Sequence, residues 1–185
     1  MPSVYYCASS LDGYIAESDD TIDWLTNYQP APLGPDVTPV GPEFPGSYEA
    51  FYEDVGAMVS GSVTYEWVLE HADEWPYDGK PFWVLTSRGT LPVAEGRDVR
   101  FNGSFDEMLE SAGGRKLWIV GGGGVANHFA DAGLLDEVWV TVVPVALGAG
   151  KALFDRRLPG GPMQLTAVLP RSSGMVELRY ARLPA

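Results

Sequence analysis

Val4-Tyr5-Tyr6-Cys7-Ala8 is an unbroken apolar run of strand length, closed by the turn pair Asp12-Gly13. A short helix is expected around Asp23-Trp24-Leu25. From there the pattern alternates: helix over Tyr48–Val55, strand over Ala57–Ser60, helix over Thr64–His71, strands over Phe82–Thr86 and Val99–Phe101. Phe105–Ala112 reads as a helix with Asp106 and Glu107 in its first turn. Leu117–Val120 reads as a strand, Val125–Ala132 as a helix closed by Gly133, and Glu137–Val143 as a long apolar strand. Near-continuous apolar strands separated by helices imply a parallel sheet covered on both faces.

The end of the chain has a different rhythm. Met163–Leu169 and Met175–Leu183 flank the turn Ser172-Ser173-Gly174, and Val176, Leu178 and Tyr180 alternate with Glu177, Arg179 and Ala181. The expected fold is therefore α/β: three layers, a mostly parallel central sheet with helices on both faces, and an antiparallel C-terminal hairpin. Residues Pro30 to Pro45 carry six of the fifteen prolines, which excludes a helix or a central strand there and suggests a surface loop.

A length of 185 residues is consistent with one domain, 1–185, able to bury a core without staples. Cys7 is the single cysteine, so neither an intrachain disulfide nor a thiol-rich metal site can form. Met1-Pro2-Ser3-Val4-Tyr5-Tyr6 has no basic segment followed by an apolar one, and no apolar run has membrane-spanning length; the expected location is the cytoplasm. Twelve basic against 25 acidic residues give a net charge of −13, which disfavours nucleic acid and anionic membranes as partners. An anionic small ligand would need local donors to hold it against that field.

Ile119-Val120-Gly121-Gly122-Gly123-Gly124-Val125 supplies such donors. An apolar strand runs straight into four glycines and then a helix, an arrangement that lets backbone N–H groups and the positive helix end approach a phosphate. A bare strand-to-helix turn would need about two glycines. Gly121, Gly123 and Ala126 also satisfy the G-x-G-x-x-A spacing of a Rossmann turn, but the motif lies late in the chain and Asp136 and Glu137 open the following strand instead of closing it. A P-loop is excluded because Gly150-Lys151 is followed by Ala152.

Two further strand ends carry polar groups. In Val59-Ser60-Gly61-Ser62-Val63-Thr64, Thr64 can meet a phosphate or cap the helix. In Val84-Leu85-Thr86-Ser87-Arg88, two hydroxyls and a guanidinium follow an apolar strand; the alternative for Arg88 is a solvated surface position. Ligands of open α/β sheets bind beyond the carboxyl ends of strands, so the three junctions can converge.

Ala8-Ser9-Ser10-Leu11-Asp12-Gly13-Tyr14-Ile15-Ala16, Ile22-Asp23-Trp24-Leu25, Gly61-Ser62-Val63-Thr64-Tyr65-Glu66, Leu85-Thr86-Ser87-Arg88 and Val120-Gly121-Gly122-Gly123 through Phe129 are, in this order and spacing, similar to the dihydrofolate reductase-like superfamily. The chain resembles in particular the branch related to the reductase domain of the bifunctional riboflavin biosynthesis protein. The resemblance implies NADPH as cofactor. It implies Gly61, Ser62 and Thr64 at the pyrophosphate, Thr86, Ser87 and Arg88 at the 2′-phosphate, and Ala8 and Ile15 at the nicotinamide. Val120, Gly121, Gly122, Gly123, Gly124 and Val125 would form the phosphate turn, with a cis peptide between Gly121 and Gly122; a side chain at Gly122 would push into the space the pyrophosphate should fill. There are departures: Ser62 stands where the family often has arginine, and Ala126 where dihydrofolate reductases usually have tyrosine. They weigh against folate reduction more than against NADPH binding.

Asp12 and Asp23 are the candidate catalytic acids. Asp12 precedes a glycine and also fits turn chemistry; Asp23 either opens a helix or reaches the cleft. Trp24 is the candidate substrate contact, as a stacking wall, with core packing as its alternative. His71, His128, Glu66 and Glu70 read as surface positions, and no residues suggest a metal. The absence of further cysteines excludes a zinc deaminase, and G-x-S-x-G is missing. The expected activity is NADPH-dependent reduction of a small pteridine- or aminopyrimidine-like heterocycle; the alternative is a dinucleotide-binding protein without turnover. Its apolar C-terminal hairpin and the resemblance both suggest a homodimer.

Overall fold

Successive residues of a strand point to opposite faces, and the inner strands of this protein are apolar on both. A computed structural model describes residues 2–30, 47–77, 79–171 and 173–183. The loop expected over Pro30–Pro45 falls, after Pro30, outside the described residues. Ten strands and five helices are described: β1 (Ser3–Ser10), β2 (Tyr14–Ala16), α1 (Asp23–Thr26), α2 (Ser47–Asp54), β3 (Val55–Gly61), α3 (Ser62–His71), β4 (Phe82–Leu85), β5 (Val99–Phe101), α4 (Phe105–Ser111), β6 (Lys116–Gly121), α5 (Gly123–Asp131), β7 (Glu137–Val143), β8 (Lys151–Ala152), β9 (Gln164–Pro170) and β10 (Val176–Ala181).

Eight strands form one sheet in the order β5-β4-β3-β6-β1-β7-β10-β9. The first six are mutually parallel; β10 runs antiparallel to both β7 and β9, as the alternating C-terminal pattern predicts. The core is split by the sheet. Tyr5, Ala57, Val59, Leu117 and Ile119 pack with Met108 of α4 and Phe129 of α5, whereas Val4, Met58, Phe82 and Trp118 pack with Phe51 of α2 and Tyr65 of α3. Each pair of adjacent residues, such as Val4 and Tyr5, thus serves both layers.

Two elements escape the hydrophobic pattern. β2 and β8 make a separate two-stranded ribbon, Tyr14 opposite Ala152 and Ala16 opposite Lys151. Strands of three and two residues are too short to show a period. Helix α5 also starts earlier than its apolar residues suggest. Gly122 takes φ +84°, turns the chain, and leaves Gly123 and Gly124 inside the first turn of the helix.

Candidate functional site

The carboxyl ends of β1, β3, β4 and β6 share one edge of the sheet, since these strands are parallel neighbours. A cavity of about 1440 Å³ opens there. Ala8, Ile15, Gly61, Ser62, Thr64, Thr86, Ser87, Val120, Gly121, Gly122, Gly123, Gly124 and Val125 all line it, so the sequence-derived cofactor set converges in space with one exception, Arg88.

The glycine turn is shaped by three separate constraints. A Cβ on Gly121 would lie 2.8 Å from the Thr64 hydroxyl oxygen, so β6 and α3 meet only because that side chain is missing. A Cβ on Gly123 would lie 2.7 Å from the Leu153 carbonyl oxygen. At Gly122 a Cβ would meet only Val125, at 3.8 Å, and the obstacle is the positive φ. No protein atom fills the space beside Gly122 that a side chain there would enter. The expected cis peptide is corrected: among the described residues every peptide bond is trans.

Helices α3 and α5 begin at Gly61 and Gly122 with no side-chain cap. Thr64 is therefore not a cap; it lies inside α3, against Gly121. Helix α4 offers the contrast. Ser104 accepts from the Glu107 N–H while the Glu107 carboxylate accepts from the Ser104 N–H, a closed capping box. The starts of α3, α4 and α5 all border the cavity, and α3 and α5 keep their leading N–H groups free of side-chain caps, which suits an anionic ligand.

At the far rim, the Thr86 N–H donates to Asn102 Oδ1 at 2.8 Å, and the Thr86 hydroxyl accepts from the Arg88 N–H at 3.0 Å. The Arg88 guanidinium turns outward to Glu66, with N···O distances of 3.1 and 2.5 Å. Glu66 is thus a paired residue and not merely a solvated one, and Arg88 stands beside the cavity without lining it.

The candidate acids are placed elsewhere. The Asp12 carboxylate accepts from Ser10 Oγ at 2.6 Å, from Leu147 N at 3.0 Å and from Gly148 N at 2.7 Å. These bonds, the Ser10 hydroxyl foremost, hold it down at about 2. Asp12 is a clamp between the β1–β2 turn and the loop after β7, outside the cavity lining. Asp23 is exposed in the first turn of α1 and does not line the cavity, because its neighbours Ile22 and Leu25 face inward instead. Trp24 is also outside the lining, half-buried, its indole N–H without a partner among the described residues. Of the candidate acids and the candidate substrate contact, none of Asp12, Asp23 and Trp24 lines the cavity.

Other residues take those places. Asp20, at φ +71°, lines the cavity 3.4 Å from Lys151, which lines it too. His128, expected as a plain surface residue, stands on the rim with Asp155. Tyr6 and Trp118, ring centroids 6.4 Å apart, form an aromatic wall on the face shared with Ala8 and Val120. The Tyr6 hydroxyl donates to the buried carboxylate of Glu177 at 2.9 Å. Burial, then the Glu177 charge, pushes the phenol up to about 12, so it stays neutral. Cys7 also lines the cavity; burial raises its thiol to about 12. Alternation along β1 marks Tyr6 and Ala8 as sharing a face, but only the sheet order places Trp118 beside them.

Among the described residues, no His, Cys, Asp or Glu cluster is placed to hold a metal ion, and no helix is long and apolar enough to cross a membrane. Residues 64–176 match the RibD C-terminal domain family. The chain is 33% identical over 184 residues to YwjB of Bacillus subtilis (strain 168), covering 97% of each. Among solved structures it superimposes on a candidate riboflavin biosynthesis protein of Shewanella sp. PV-4 with a TM-score of 0.76 at 28% identity, covering 100% of both chains. Dihydrofolate reductase of Enterococcus faecalis, solved with NADP(H), gives a TM-score of 0.63 at 19% identity over 99% of this chain, a likeness of fold.

Proposed function

The chain belongs to the RibD C-terminal domain family and has the dihydrofolate reductase-like fold, and on that premise we propose that it is an NADPH-dependent reductase of a small pteridine- or aminopyrimidine-like heterocycle. The observation that carries the reading is the convergence on one cavity of two uncapped helix starts, the glycine turn, the Thr86–Ser87 hydroxyls and the Ala8–Ile15 pair. Gly124, whose added Cβ would meet nothing within 4 Å, leaves open the space in which a pyrophosphate fits.

In this reading the first N–H groups of α3 and α5 hold the pyrophosphate, and Gly61, Ser62 and Thr64 close around it. Thr86, Ser87 and a reoriented Arg88 take the 2′-phosphate. Ala8 and Ile15 border the nicotinamide, and Val120 through Val125 form the turn beneath. Bound there, the reduced cofactor supplies a hydride, two electrons with one proton. Tyr6 and Trp118 orient a flat ring and exclude water. Asp20, with Lys151, presents the ionisable pair that can bind the ring's polar edge and pass it the balancing proton. We take residues 1–185 as one cytoplasmic domain, paired as a homodimer through the edge strand β9, whose Leu165 and Val168 are 49% and 51% exposed. Light scattering at micromolar concentration checks the dimer, and a monomeric mass refutes it.

The test of function is fluorescence titration with NADPH followed by absorbance at 340 nm with a panel of pteridines, pyrimidines and quinones. Binding with oxidation on at least one of them is expected. Because Asp12 and Asp23 lie outside the cavity, binding without oxidation of NADPH on any compound would favour a dinucleotide-binding protein without turnover.

A further inference from the structure

Cations are scarce where a substrate would lie. All twelve Lys and Arg residues are among the described residues, and of these Lys151 alone lines the cavity. Its charge is partly offset by Asp20, 3.4 Å away on the same wall. Asp155 adds a second carboxylate to the lining. The arginines behind the aromatic wall are committed as well. Arg171 and Arg179 both bind the fully buried Glu177, at 2.7 and 2.6 Å, and neither lines the cavity. Nor does the sequence of residues 31–46 supply a cation: it contains no Lys, Arg or His.

The donors that do suit an anion are backbone N–H groups of the α3 and α5 starts, and the proposed cofactor already uses them. What remains includes Tyr6, Ile22, Leu25 and Trp118, aromatic and aliphatic side chains, with the Asp20–Lys151 pair at the margin. A phosphomonoester carries nearly two negative charges at neutral pH. Placed there it would lose hydration and meet a carboxylate beside the single lining lysine, in a protein whose net charge is −13. A flat uncharged ring avoids these penalties and gains apolar contact with Tyr6, Ile22 and Leu25.

We infer that the substrate of this protein is an unphosphorylated aromatic heterocycle, and that the cavity discriminates against sugar-phosphate forms of the same ring. The inference rests on the reductase reading above and narrows it. It separates this chain from reduction of a sugar-phosphate aminopyrimidine, whose phosphate would find only the Asp20-facing Lys151 among the cations of the lining.

Two matched pairs test it: riboflavin against FMN, and 5-amino-6-(ribosylamino)uracil against its 5′-phosphate. Binding is read by quenching of tryptophan fluorescence in the full-length protein saturated with NADP⁺, and turnover separately by NADPH oxidation. At least one unphosphorylated member should bind ten times or more tighter than its phosphate. Leu25→Lys, which adds a cation to the lining, should narrow that gap several-fold. Equal or tighter binding of the phosphorylated members overturns the inference, as does failure of every unphosphorylated member to bind. A prior titration separates the two levels: absence of NADPH binding overturns the reductase reading and this inference together, whereas NADPH binding with a preference for phosphates overturns this inference alone.

Discussion

If the cofactor is NADPH, as proposed, Arg88 is the residue placed to choose it over NADH, and Glu66 is its competitor. The pair is bidentate, with N···O distances of 3.1 and 2.5 Å, but the side chains are 47% and 34% exposed. A pair that open to solvent is worth about 0–1 kcal/mol, so removing either partner should leave folding nearly unchanged. The Arg88 backbone is anchored separately through the Thr86 hydroxyl at 3.0 Å, so the guanidinium can swing while its base stays fixed. On a 2′-phosphate, charged hydrogen bonds are worth about 1.5–3 kcal/mol. At about 1.4 kcal/mol per factor of ten, Arg88→Ala should weaken NADPH about 10- to 150-fold and leave NADH within twofold. Glu66→Gln frees the fork and should tighten NADPH by up to about fivefold, the value of the lost pair. In the double variant the gain from Glu66→Gln should vanish. Isothermal titration of both dinucleotides, at low and high salt, reads all four proteins. Equal losses for NADPH and NADH in Arg88→Ala, or a gain from Glu66→Gln that survives without Arg88, would refute the reasoning.

Three further outcomes are expected. Gly122→Ala should lose about 1–2 kcal/mol of stability, because φ is +84° there, whereas Gly124→Ala, with open space around its Cβ, should gain up to about 1 kcal/mol; paired thermal melts check both. Glu177→Leu should lose about 3–5 kcal/mol by removing the buried carboxylate that Arg171 and Arg179 both bind. Burial opposes ionisation of Glu177, but the Arg179, Tyr6 and Arg171 hydrogen bonds together depress its pKa; its contribution is therefore complete above about pH 4.3 and fades as pH falls through the lower folded value, an acid sensitivity that urea midpoints should show reduced in Glu177→Gln. With its thiol at about 12, Cys7 is thiolate in only on the order of one molecule in ten thousand at pH 8, so iodoacetamide should label it slowly until the protein is unfolded in urea; labelling at the rate of a free thiol in the native protein would contradict this.

Much of this architecture is legible from periodicity alone. Glu137–Val143 and Val99–Phe101 are strands with the boundaries their apolar runs suggest, and the alternation after Met175 predicts the antiparallel β10. The phosphate turn is legible for a related reason. Backbone donors are exposed by glycine and by an uncapped helix start, and both leave a contiguous mark in the chain. The acids are the opposite case. A carboxylate beside a turn glycine can serve a ligand or clamp a loop, and what decides for Asp12 is the arrival of Leu147 and Gly148 from beyond β7. Glu66 looks solvated until β4 brings Arg88 to it. Tyr6 and Glu177 are 171 residues apart and meet only because β10 pairs with β7, the neighbour of β1.

The two ends of the cavity therefore differ in what a substitution changes. At the phosphate end the recognising atoms belong to the main chain, fixed by Gly121 against Thr64 and Gly123 against Leu153, and most side-chain changes there break packing before they alter the ligand. At the Tyr6–Trp118 end recognition is by side chains carried on α1, β1 and β6, which are already rigid parts of the sheet and its flanks. Exchanging Leu25 or Ile22 for a charged residue alters what the cavity accepts without touching a strand pairing. A fold built this way can keep one dinucleotide and move between phosphorylated and unphosphorylated rings by a change as small as one cation. In this chain the lining holds one lysine, Lys151, set against Asp20 at 3.4 Å, and the inferred preference is for the unphosphorylated ring.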